Sequence, residues 1–153
     1  FAFKPAPYPN STDFLRILRR EAGPPHESLI ADLFEKITLV DVKATQPQVV
    51  ARPDGRFDVS FTVEAKKFHA DGKGRETEAP LDEPFDIGVF TAEPGKPGYS
   101  AASVLLMQRQ PIRGGTQRIS VTVATRPTHV GVDPYNMRID RNSADNVVAV
   151  PAP

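Results

Sequence analysis

A mainly β fold behind two short helices is predicted by three features of the sequence. Residues 11–37 carry apolar side chains at a period near four, strict alternation takes over at Thr38, and turn-forming clusters separate the alternating runs. Residues 1–10 hold three prolines and Asn10, the composition of an extended lead-in. Ser11 or Thr12 can cap a first helix that has Asp13 in its first turn and Phe14, Leu15 and Leu18 on one face. Gly23 and Pro24-Pro25 stop it. A second helix is expected to start at those prolines, where a missing N–H is harmless, with Leu29, Ile30, Leu33, Phe34 and Ile37 as its apolar stripe.

The strand pattern begins with Val40, Val42 and Ala44 around Asp41 and Lys43. It is clearest where Phe57, Val59, Phe61, Val63 and Ala65 alternate with Asp58, Ser60, Thr62, Glu64 and Lys66, so that one face is core and the other is wet. Pro53-Asp54-Gly55 joins these two runs as a hairpin. Further strands are expected over residues 85–92, with Phe85, Ile87 and Val89 alternating, over 103–110 around Val104-Leu105-Leu106-Met107, and over 117–125, with Ile119, Val121 and Val123 inward. The clusters Asp71-Gly72-Lys73-Gly74, Glu93-Pro94-Gly95-Lys96-Pro97-Gly98 and Arg113-Gly114-Gly115 separate them. A sheet with one apolar face must be covered, and a second antiparallel sheet is the commonest cover. Residues 38–149 are therefore expected to form an immunoglobulin-like antiparallel β-sandwich, with 150–153 as a tail. A partly open barrel satisfies the same pattern.

Composition narrows the function classes. The chain of 153 residues fits one ordinary domain, and its 19 Lys and Arg balance 19 Asp and Glu without a long block of either sign. The electrostatic drive behind nucleic-acid binding therefore has no source here, and nucleic acid is not an expected partner. With no cysteine, the chain has no disulfide, thiolate metal site or cysteine nucleophile. No apolar run reaches the roughly 18–20 residues of a membrane-spanning helix, so no direct membrane insertion by this chain is expected. The opening Phe1-Ala2-Phe3-Lys4 has neither an initiator Met nor a signal-peptide layout, the pattern expected of a piece of a longer protein.

The chemistry-bearing residues are scattered. His26-Glu27 begins like the zinc-binding H-E-x-x-H helix, but Ile30 stands where the second histidine is needed, and Glu27 is read as first-turn dipole stabilisation. His69 and His129 lie alone on separate strand-like segments. Residues 133–146 are rich in oxygen ligands suited to calcium, and Asp133, Asn136, Asp140, Asn142 and Asp145 are the weak candidates. The Gly and terminal Glu of an EF-hand loop are missing. Asp and Asn equally form turns on their own backbone, so structural turns with ion pairs at Arg138 or Arg141 are the expected reading. The sequence has no G-x-S-x-G elbow, dinucleotide fingerprint or phosphate loop, and it offers no catalytic, cofactor-binding or firm metal residue of its own.

Several stretches carry a family resemblance. They are Leu29-Ile30-Ala31-Asp32-Leu33-Phe34-Glu35-Lys36-Ile37-Thr38-Leu39, Val63-Glu64-Ala65-Lys66-Lys67-Phe68, Gly74-Arg75-Glu76-Thr77-Glu78-Ala79-Pro80-Leu81, Phe85-Asp86-Ile87-Gly88-Val89-Phe90, Gly131-Val132-Asp133-Pro134-Tyr135-Asn136 and Ile139-Asp140-Arg141-Asn142. Over residues 12 to 146 or so the chain resembles the C-terminal end of large bacterial membrane proteins that join an ABC-transporter-type permease to an M1-family, gluzincin-like zinc aminopeptidase. None of these stretches is catalytic. In that family the zinc sits on an upstream thermolysin-like domain built on H-E-x-x-H, so the resemblance implies a noncatalytic accessory domain without cofactor, with zinc expected only in the parent's catalytic domain. Residues 11–37 would end a helical region, and the partners would be the catalytic and helical domains of the same parent chain. The location implied is a soluble part of a bacterial inner-membrane protein, with the extracytoplasmic side favoured. The alternatives are an independent immunoglobulin-like module that binds protein or carbohydrate, and a stand-alone hydrolase. The absence of Trp counts against sugar stacking, and the lack of a converging acid, base and nucleophile counts against the hydrolase.

Overall fold

The computed structural model describes residues 8–152, so most of the expected lead-in lies outside the described residues. The chain divides into two compact units, with the boundary between Ile37 and Thr38.

The first unit contains α1 (Ser11–Ala22) and α2 (Glu27–Phe34). The cap of α1 is Asn10, one residue before the expected Ser11 or Thr12. Its Oδ1 accepts from the N–H of Thr12 at 3.0 Å and of Asp13 at 3.1 Å, while Asp13 Oδ2 accepts from the Asn10 N–H at 3.2 Å. Asn caps as well as Ser, and an acid three residues on closes the reciprocal box, which decides the register. Gly23, at φ +76°, ends the helix in a conformation that a side chain resists. Pro24–His26 then form a single 3-10 turn, and α2 begins only at Glu27. The expected stripe is shorter too, because Ile37 already belongs to the first strand.

The second unit holds β1 (Ile37–Ala51, its first residue still in the helical unit), β2 (Phe57–Ala70), β3 (Glu76–Ala79), β4 (Asp82–Phe90), β5 (Val104–Arg113), β6 (Gly115–Val123), β7 (His129–Val132) and β8 (Val147–Ala149). In one sheet β2 is central. It pairs with β1, and along its length it also pairs antiparallel with β6, from Phe57↔Val123 to Ala65↔Gly115, and then with β3, from Lys67↔Ala79 to Ala70↔Glu76. The other sheet has the order β5-β4-β7-β8, antiparallel throughout. The chain changes sheets between β5 and β6, at Gly114 and Gly115. The result is an immunoglobulin-like sandwich of two open sheets and not a barrel.

The alternation read from the sequence becomes the core. Val42, Phe61, Val63, Ile87, Val89, Ile112 and Val130 are wholly buried between the sheets, and each such side chain contributes about 1.5–3 kcal/mol relative to exposure. Lys67 continues the inward series 59, 61, 63 and 65 of β2 and is also buried. Its ammonium donates to Glu83 Oε1 at 2.7 Å, and Arg138 lies 3.4 Å from Glu83 Oε2. A charge at a core position is tolerated because it is paired.

Two short strands, β3 and β8, are not among those the sequence predicts, and β7 is marked there only as a strand-like segment at His129. Gly88 of β4 pairs with Gly131 of β7. A Cβ on Gly131 would lie 2.6 Å from the Asn146 carbonyl oxygen, so only glycine fits. In β1, Gln46 adopts φ +51° immediately before Pro47 and kinks the strand that forms the edge of its sheet.

Candidate functional site

The residues that the sequence singled out for oxygen ligation converge in the long connection between β7 and β8, where the Asp133 and Asp140 carboxylates accept from backbone N–H groups. Asp133 is buried and sits at φ +45°, a conformation that Asp tolerates better than most side chains. Its Oδ1 accepts from the Met137 N–H and its Oδ2 from the Arg138 N–H, both at 3.0 Å, while its own N–H donates to the Asp86 carbonyl at 2.8 Å. One buried carboxylate thus folds the next five residues around itself. Asn136, at φ +52°, lies beside the side-chain amide of the fully buried Asn146.

Asp140 ties this loop to the other sheet. Its Oδ2 accepts from the Val42 N–H at 3.3 Å and its Oδ1 from the Asn142 N–H at 2.9 Å. Beside it the Val40 N–H donates to the Ile139 carbonyl at 2.9 Å, and the Arg141 N–H donates to the Val40 carbonyl at 3.0 Å. With its amide oriented to satisfy its neighbours, Asn146 donates to the Val42 carbonyl at 2.6 Å and to Asp140 Oδ2 at 3.2 Å. Burial raises the Asp140 carboxyl above the usual aspartate range, and these donors oppose the rise. Asn142 Nδ2 donates to Asp145 Oδ2 at 2.9 Å, and Asp145 Oδ1 is buried without a hydrogen-bond partner. Among the described residues no three His, Cys, Asp or Glu side chains form a group able to hold a metal.

Two arginines within this loop are committed to the sandwich. Arg138 pairs with Glu83 and lies over the Phe85 ring at 5.3 Å, and Arg141 pairs with Glu76 and stacks on Phe68 at 4.0 Å. The apolar side chains at positions 135, 137 and 139 point outward. Met137 and Ile139 are each 72% exposed, and Tyr135 is 47% exposed, with its hydroxyl 2.5 Å from that of Tyr99. Desolvation first, and this contact second, push the Tyr99 hydroxyl up to about 12. The sequence marked this loop by its acids and amides. Its outward apolar side chains were missed, although an apolar residue at every second position from 135 to 139 was the available signal.

The remaining candidates stay apart. His26 occupies the 3-10 turn, and Glu27, the companion residue in the first turn of α2, accepts from Arg19 Nε at 3.0 Å. The same guanidinium donates to Glu35 at 2.7 Å and holds that carboxyl below its usual range. His129 Nδ1 is 2.9 Å from Thr128 Oγ1, and its Nε2 is 4.0 Å from Glu93.

Among the described surface depressions, one of about 410 Å³ is lined by Pro47, Gln48, Val49, Val50, Arg126, Val150, Pro151 and Ala152. Its lining contains no acid, base or nucleophile. Another, of about 320 Å³, holds Asp58, Ser60, Ser120 and Thr122, but Asp58 accepts from Thr122 at 2.7 Å and Ser60 from Arg118 at 2.6 Å. No family model, curated protein or solved structure matches the chain.

Proposed function

We propose that this chain is a noncatalytic accessory domain of an M1-like zinc aminopeptidase, joined in the parent protein to an ABC-transporter-type permease, and that it works by packing against the catalytic unit or limiting access to its cleft. The reading rests on the sequence resemblance described above. The structural observation that carries it is the exposed apolar face of the helical unit. No residue of α1 is buried, and Phe14, Ile17, Leu33 and Phe34 all stand exposed.

Helices of 12 and 8 residues are too short to persist on propensity alone and depend on tertiary cover for an apolar face. The Phe14 and Phe34 rings meet edge to face at 5.6 Å, and Arg19 bridges Glu27 and Glu35. Exposed ion pairs contribute little, so the helical unit gains most of its stability when another surface covers it. A rigid sandwich beside a peptidase cleft can restrict substrate size without adding a reacting group.

The test compares this chain with the full-length parent on a panel of aminoacyl fluorogenic substrates with added zinc. Turnover by the parent alone is the expected result, together with an H-E-x-x-H helix encoded upstream of Phe1. Zinc-dependent turnover by this chain alone overturns the reading.

A further inference from the structure

We draw no further inference here: the strongest candidate, the exposed apolar patch of Tyr135, Met137 and Ile139 on the loop between β7 and β8, carries nothing because nothing in the structure shows what covers it.

Discussion

Replacing Asp133 tests whether one carboxylate organises the β7–β8 loop. In Asp133→Ala the Met137 and Arg138 amides lose their acceptors, and hydrogen bonds to a charged group contribute about 1.5–3 kcal/mol each. Part of that loss is recovered as the freed amides reach water, which leaves about 2–3 kcal/mol for the pair. Alanine also tolerates φ +45° less well than aspartate, at a cost of about 1 kcal/mol. The total is about 3–4 kcal/mol. For a unit of this size the melting temperature should fall by roughly 10–15 °C. Asp133→Asn keeps one acceptor and tolerates the backbone angle, so it should lose about half as much. Urea denaturation followed by circular dichroism measures both variants, with equal m-values as the sign that the folded and unfolded states are otherwise unchanged. A loss below about 0.5 kcal/mol for Asp133→Ala refutes the reasoning, since that is the range of an ordinary surface substitution.

Three further outcomes follow from the packing. Gly131→Ala should cost about 2 kcal/mol in the same assay, because the added methyl meets the Asn146 carbonyl oxygen and must push β8 away. Glu83→Ala, which removes the carboxylate 2.7 Å from the buried Lys67 ammonium, should cost about 3 kcal/mol, whereas the double replacement of Lys67 and Glu83 by Met should recover most of that loss. Asp140 has a folded-state pKa raised by burial, so its contribution to stability is fully present below the ordinary aspartate range near 4 and is lost as pH rises through the higher folded value. The difference in unfolding free energy between the native chain and Asp140→Asn should therefore fall with rising pH, and a flat or rising difference in denaturation at stepped pH contradicts the assignment.

The long strands could be read from the sequence because a half-buried sheet forces alternation, and β2 shows it over Phe57, Val59, Phe61, Val63 and Ala65. The same rule fails for β3, β7 and β8, where three or four residues are too few to establish a period and the glycine of β7 interrupts it. Boundaries failed where a local competitor was strong, as when the Asn10 and Asp13 box set the start of α1. At the candidate site the sequence picked out Asp133, Asn136, Asp140, Asn142 and Asp145 by residue type. It could not show that Asp133 accepts from the amides four and five residues on, or that Asp140 reaches the Val42 N–H 98 residues away on the other sheet. Lys67 illustrates the opposite failure: its position in the alternation predicts the core, its charge argues against it, and the placement of Glu83 resolves the conflict.

The bend in β1 bears on how the protein behaves at high concentration. A 15-residue strand at a sheet margin is a ready template on which a neighbouring molecule can add its own strand, the first step towards a fibril. Here the template is short. Its beginning is occupied by Ile139 and Arg141, and its middle is broken by the left-handed Gln46 and by Pro47, which has no N–H to offer. Neither stretch presents the long, straight run of free amides and carbonyls that growth by strand addition requires, so the margin most exposed to polymerisation is the one the chain has interrupted.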